Sequence, residues 1–182
     1  MTRTVYYTAT TLDGFIADPQ HSLDWLLTRE ADHEGAMGYK AFEKTVGSLV
    51  MGASTYQWLR DNGGPDAWTY DQPAWVLTHR TMEPYAGADI RFTAVDSRED
   101  LLALHAELVA AAGDLDVWVV GGGPVAAQFA DAGLLDEVAV SIAPVTLGAG
   151  APLLPTHVEL VTREVAQNGE FAVVRYDVVR PG

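Results

Sequence analysis

The sequence predicts an α/β domain with a mostly parallel central sheet and an antiparallel hairpin at its C-terminal end. Three observations carry that expectation. Short runs of β-branched and aromatic residues alternate with stretches whose apolar residues recur at helical spacing. One run, Val117-Trp118-Val119-Val120, passes directly into Gly121-Gly122-Gly123 and then Pro124. Near the end, two alternating segments between Leu160 and Val179 flank Asn168-Gly169, a strong short-hairpin signal.

The chain has 182 residues, 48% of them hydrophobic. That is enough for one well-buried core and too little for two comfortable ones, so residues 1–182 are expected to form a single domain. A formal charge of −14 opposes nucleic-acid backbones and anionic membrane surfaces, and no basic run overrules it locally. An anionic ligand must then be held by backbone amides and a few placed arginines. With no cysteine there is no disulfide framework and no cysteine zinc site, and no metal is expected. The N-terminus, MTRTVYYTAT, has no long apolar segment, and no later stretch approaches membrane-spanning length. The expectation is a soluble, unexported, cytoplasmic protein.

Thr4 to Thr11 reads as the first strand, with Leu12-Asp13-Gly14 turning the chain out of it. Asp13 to Asp24 reads as a lid-like loop with apolar contacts at its base. Trp25, Leu26 and Leu27 re-enter the core, and Asp32 to Thr45 has helical spacing through Met37, Ala41, Phe42 and Val46. Leu49-Val50-Met51 is the second strand; it ends in Gly52-Ala53-Ser54-Thr55, and Tyr56, Trp58 and Leu59 begin a helix. After a Gly/Pro/Asp-rich loop, Asn62 to Pro73, Ala74 to Leu77 is the third strand, with Thr78, His79 and Arg80 at its carboxyl end. Ile90 to Phe92 is a short fourth. Ser97 and Asp100 resemble a capping box ahead of Leu101, Leu104, His105, Leu108 and Ala112, one helical face. Val138 to Ile142 is a further strand, and a Gly/Pro loop from Pro144 to Pro155 leads to the hairpin.

The glycine run is the most informative stretch. A buried-strand pattern enters it, and Pro124 fits the first turn of the helix that leaves it, where a missing N–H costs nothing. Strand, glycine turn and helix N-terminus together make an anion site, because unpaired N–H groups and the helix dipole both favour negative charge. Three consecutive glycines exceed what a turn alone requires. Gly121, Gly123 and Ala126 fit G-x-G-x-x-A, but the next strand ends in Ala143-Pro144 without the ribose-binding acid of a Rossmann unit, and no G-K-[ST] follows. In a parallel sheet, ligands bind beyond the carboxyl ends of the strands. Three such ends carry small, hydroxyl or cationic groups: Gly52 to Thr55, Thr78 to Arg80, and Gly121 to Gly123.

The succession TLDGFIA, LVMGASTY, WVLTHR, VWVVGGGPV and SIAPVTLG resembles the dihydrofolate reductase fold, and specifically its branch related to the reductase domain of riboflavin biosynthesis. The resemblance covers nearly the whole chain and implies a three-layer fold with NADPH as cofactor. By this likeness Gly121, Gly122, Gly123, Pro124 and Val125 would hold the diphosphate, with a cis peptide between Gly121 and Gly122. Gly52, Ser54 and Thr55 would line the diphosphate side, Leu77, Thr78 and Arg80 the 2′-phosphate side, and Ala9 and Ile16 the nicotinamide.

Departures from the dihydrofolate reductase pattern bear on the substrate. Ala53 stands where those enzymes place an arginine, and Pro124, Val125 and Ala126 where they place a tyrosine. Their helix-borne acid has only Asp32 or Glu34 nearby, with irregular spacing through Gly35 and Gly38. The motif TLDGFIA instead points to Asp13 as the substrate-facing acid of a riboflavin-type reductase, with Trp25 and Ser141 as substrate contacts. A deaminase part is excluded, since its zinc signature needs cysteines. The expected function is an NADPH-dependent reductase delivering a hydride to a small planar C=N or C=O substrate. The alternatives are the riboflavin-pathway 5-amino-6-(5-phosphoribosylamino)uracil reductase and a non-catalytic nucleotide-binding protein. A homodimer is expected because the hairpin puts Phe171 and Val173 on one face and Val174, Tyr176 and Val178 on the other, more apolar surface than one domain of this size covers easily.

Overall fold

The structure, a computed structural model, describes residues 1–180. Its elements in chain order are β1 (Thr4–Thr11), β2 (Phe15–Ala17), α1 (Asp24–Leu27), α2 (Tyr39–Glu43), β3 (Val46–Gly52), α3 (Ala53–Gly63), β4 (Ala74–Leu77) and β5 (Ile90–Thr93). Then come α4 (Arg98–Ala112), β6 (Asp116–Gly121), α5 (Gly123–Asp131), β7 (Glu137–Ala143), β8 (Ala151–Pro152), β9 (Leu160–Asn168) and β10 (Phe171–Val178). The main sheet runs β5-β4-β3-β6-β1-β7-β10-β9. Every neighbour from β5 to β7 is parallel, whereas β10 is antiparallel to both β7 and β9.

Both sheet faces are covered, which is why the central strands read as continuous apolar runs. On β6, Val117 and Val119 pack with Leu104, Leu108 and Phe129 of α4 and α5. Trp118, one residue out of phase, packs on the opposite face with Val5, Phe42 and Leu49. Met51 and Val76 carry that second face on to Tyr56 of α3. The result is three layers, helix on sheet on helix. Helix α4 starts where its cap predicts: the Ser97 hydroxyl accepts from Asp100 N at 3.1 Å, and the Asp100 carboxylate accepts from Asp96 N at 3.1 Å.

Three expectations are corrected. Asp32 to Thr45 is not one helix; only α2 is helical there, and residues 32–38 fold into turns closed by Gly35 N to Asp32 O, Gly38 N to Gly35 O and Lys40 N to His33 O. Gly38 is the physical reason, since a Cβ there would lie 2.4 Å from His33 O. Second, Leu27 is 65% exposed and does not rejoin the core, although Trp25 does. Third, both faces of β10 are covered by its own chain: Phe171 and Val173 lie with Trp25 and Ala143, and Val174, Tyr176 and Val178 join the α4–α5 core. The exposed apolar surface of the hairpin is instead on the edge strand β9, where Val161 and Val165 are 55% and 66% exposed. The hairpin loop is also shifted by one residue, to Gly169-Glu170, because Asn168 still pairs with Phe171. Among the described residues, no helix is long and apolar enough to cross a membrane.

Candidate active site

Strands β3 and β6 are neighbours, but the helices that follow them leave on opposite faces of the sheet. A crevice opens at such a point, beyond the carboxyl ends of the strands. The two glycine turns meet there: a Cβ on Gly52 would come within 3.8 Å of Gly122 N. Gly52 is the N-cap of α3 and Gly122 the N-cap of α5, and neither helix start receives a side-chain cap. At α3 the first-turn N–H groups have no side-chain acceptor and favour an anion; at α5 Pro124 has no N–H and the Val125 N–H donates to Gly122 O at 3.0 Å, so Gly123 supplies the first-turn N–H that can serve an anion there. The Gly121–Gly122 peptide is cis, in agreement with the resemblance.

These turns border a cleft of about 1110 Å³, above the usual range for a site holding one small molecule. Ala9, Ile16, Ser54, Thr55, Gly121 and Gly122 of the expected cofactor set line it, and so does Arg80. Arg80 is exposed, and among the described residues its guanidinium has no ion-pair partner; its backbone N–H donates to the Thr78 hydroxyl at 3.0 Å. Asp32 and Ser141, expected on the substrate side, also line the cleft.

The remaining expected residues do not line it, each for a visible reason. Gly123 presses against the β8 segment, where a Cβ would lie 2.0 Å from Pro152 O, so this glycine serves close packing. Val125 is buried in the α4–α5 core, and Gly52 is backed by the Val125 side chain. Pro124 is exposed at the start of α5. Leu77 packs against the core from β4, and Thr78 acts through the turn that sets Arg80. Trp25 is a core residue beneath Phe171 and Val173.

The two other acids are spent elsewhere. Asp13 accepts from the Thr11 hydroxyl at 2.6 Å, from Gly148 N at 2.7 Å and from Leu147 N at 3.1 Å. The Thr11 hydroxyl and these amides hold its carboxyl below the usual carboxylate range. It ties the turn after β1 to the loop after β7 and is not among the residues that line the cleft. Glu34 pairs with Lys40 at 2.9 Å on an exposed surface.

Sequence reasoning missed the aromatic floor. Tyr7, Tyr39, Tyr70 and Trp118 line the cleft together, from β1, α2, the 64–73 loop and β6. Tyr39 and Tyr70 lie 5.9 and 5.7 Å from Trp118, ring centre to ring centre, and Tyr7 stacks on Phe42 at 4.1 Å. Burial raises the pKa of all three tyrosines, so each phenol stays protonated at neutral pH. Tyr70 sits in a stretch whose Gly, Pro and Asp content gave only a loop signal. The floor is assembled from four separated segments and has no local pattern.

Comparison with known proteins agrees with this architecture. The family model of the RibD C-terminal domain matches residues 57–172. The chain is 30% identical over 177 residues to the uncharacterized protein YwjB of Bacillus subtilis (strain 168), spanning 96% of this chain and 97% of that protein. It is similar to the crystal structure of a putative riboflavin biosynthesis protein from Shewanella sp. PV-4, with a TM-score of 0.80, 26% identity, and 98% and 99% of the two chains covered. Dihydrofolate reductase from Enterococcus faecalis, complexed with NADP(H), shares the fold at a TM-score of 0.56 and 18% identity, over 99% and 97% of the chains. The protein has a dihydrofolate reductase-like fold, and the chain belongs to the RibD C-terminal domain family.

Proposed function

We propose that this protein is an NADPH-dependent reductase acting on a small planar substrate with a C=N or C=O bond. Family membership supports a reductase-type function, and one observation carries the cofactor: two helix starts without side-chain caps and Arg80, unpaired among the described residues, converge on one cleft. A protein of charge −14 repels a polyanion unless backbone amides and a fixed cation receive it. In this reading Gly121, Gly122, Ser54 and Thr55 hold the diphosphate, and Arg80 pairs with the 2′-phosphate. Ala9 and Ile16 flank the nicotinamide and leave its face open to the cleft.

Bound NADPH supplies a hydride, and the acceptor bond takes up one proton as well. The chain contributes position and exclusion of water. Asp32 is the expected acid that lines the cleft; it is exposed, and its Oδ1 accepts from Glu34 N at 2.9 Å, which orients the carboxylate. It is the candidate to relay a proton from solvent. The absence of cysteine fits a cytoplasmic setting. The exposed β9 residues Val161 and Val165 support a two-fold homodimer, which light scattering at micromolar concentration would show as twice the chain mass.

Calorimetric titration with NADPH, followed by absorbance of NADPH with candidate acceptors, tests the reading. Saturable binding with acceptor-dependent oxidation is expected. Binding without turnover across planar C=N and C=O acceptors would indicate a nucleotide-binding protein instead.

A further inference from the structure

The lining of the cleft outside the cofactor arm is uneven in charge and in shape. Among the described residues Arg80 is the one lysine or arginine that lines it, whereas Asp24, Asp32 and Asp61 all do. Asp24, Asp32 and Asp61 are exposed, and none has a lysine or arginine within ion-pair distance among the described residues. With Arg80 committed to the cofactor, the rest of the lining sets three carboxylates against two histidines, His21 and His33, and no lysine or arginine among the described residues, an arrangement that opposes a phosphorylated substrate.

The floor points the same way. The Tyr7 hydroxyl donates to Met37 O and the Trp118 Nε1 donates to Tyr7 O, each at 3.0 Å. The Tyr7 hydroxyl is thus used inside the protein, and Trp118, 6% exposed, backs the floor, so the ring surface the cleft meets is that of the half-buried Tyr7, Tyr39 and Tyr70. Aromatic faces take flat rings and attract cations. Leu27, 65% exposed, lines the same cleft opposite no core of its own, and Trp58 of α3 lines it as well. An apolar side chain left open at a cleft is covered when a flat apolar ligand enters.

We infer that the substrate is a planar aromatic or heteroaromatic compound that carries no phosphate and is neutral or cationic, bound over Tyr7, Tyr39 and Tyr70. This deepens the proposed function and rests on its assignment of Arg80 to the cofactor. It separates this chain from reductases of phosphoribosylated aminopyrimidines, whose substrate needs a second cationic pocket.

Isothermal titration of the NADPH-loaded protein tests it with three probes: an aminoquinoline as planar cation, quinazolinedione as planar neutral ring, and 5-amino-6-(5-phosphoribosylamino)uracil. At least one unphosphorylated ring should bind tenfold or more tightly than the phosphoribosyl compound. In the double variant Asp24→Asn, Asp61→Asn, affinity for the aminoquinoline should fall several-fold, with quinazolinedione unchanged. Equal or tighter binding of the phosphoribosyl compound overturns the inference, as does NADPH binding with no probe bound. Failure of NADPH itself to bind overturns the cofactor reading first, and is seen in the titration that precedes the probes.

Discussion

Asn168, at the tip of the C-terminal hairpin, grips Asp32 through the backbone in both directions. Its Oδ1 accepts from Asp32 N at 2.7 Å, and its Nδ2 donates to Asp32 O at 2.8 Å and to Ala36 O at 3.0 Å. Asn168 is 7% exposed, so these groups are poorly placed to turn to water. Beside it, Gly169 packs onto Glu30, where a Cβ would meet Glu30 O at 2.2 Å. The tip thus sets the path of residues 29–38, which carry Asp32, His33 and Met37 to the cleft.

Asn168→Ala removes an acceptor and two donors at once and leaves part-buried backbone groups of Asp32 and Ala36 unmatched. A loss of about 1–3 kcal/mol in unfolding free energy is expected, read by urea denaturation. Because the released segment lines the cleft, KM for an accepted substrate should rise more than the NADPH dissociation constant. Unchanged stability would show that water replaces the side chain at no cost.

Gly122 and Gly123 make opposite predictions although they adjoin. A Cβ on Gly122 would have Ile16 Cδ1 at 3.6 Å and Pro124 Cδ at 3.8 Å as neighbours, ordinary contacts, so Gly122→Ala should fold. Its methyl would stand where the proposed diphosphate approaches, and NADPH affinity should drop at least tenfold, about 1.4 kcal/mol. Gly123→Ala meets Pro152 O at 2.0 Å; it should cost about 1–3 kcal/mol of stability as overpacking. Circular dichroism melting and NADPH titration on both variants separate the roles. Full NADPH affinity in a folded Gly122→Ala protein would show the stretch to be a turn only.

Legibility in the sequence followed how local the physics is. Strand β4, the Ser97 cap and the β6–glycine–α5 unit lie in contiguous residues, and they fold as their local pattern predicts. The 32–38 turns carry a helix signal because Met37, Phe42 and Val46 keep helical spacing, while Gly35 and Gly38 allow tighter closures. Asp13 had the right neighbours for a substrate-facing acid, but its partners, Leu147 and Gly148, come from 134 and 135 residues away. No local pattern announces such a contact. The aromatic floor was hidden for the same reason, and the short pairing of β2 with β8 lay inside what read as two loops.

His105 gives the acid limb of the stability curve a named contributor. Its Nε2 lies 2.8 Å from the Thr4 hydroxyl, and its ring meets Phe129 edge-on. Burial, the largest cause, lowers its pKa from 6.5; Arg180 adds to this, and Asp136 opposes it. A histidine whose folded pKa is depressed binds fewer protons folded than unfolded. Its stabilising contribution is therefore complete above the unfolded pKa and is lost as pH falls through the folded one. Urea midpoints should decline from near neutrality into mild acid, and His105→Gln should flatten that part of the curve. A parallel decline in both proteins would assign it to other groups.

In the proposed function, the preference between nicotinamide cofactors rests on Arg80. NADPH exceeds NADH by a single 2′-phosphate, and at a net charge of −14 that dianion needs a cation fixed beside it. Guanidinium matches phosphate with paired, directional hydrogen bonds, and the Thr78 hydroxyl holds the Arg80 backbone in the turn that aims it. Ala53 stands where a second cation could have been, and among the described residues Arg80 is the one lysine or arginine lining the cleft, so the proposed preference leans on it. Exposure and salt screening put the effect at the low end for a charge-assisted bond, about 1.5 kcal/mol, or roughly tenfold in NADPH affinity. Arg80→Ala should lose that much for NADPH and almost nothing for NADH, and Arg80→Lys should keep part of it, since lysine supplies charge without the fork. Raising the salt should narrow the gap in the native protein and leave the alanine variant flat. Equal losses for the two cofactors in Arg80→Ala would mean that the guanidinium does not touch the 2′-phosphate.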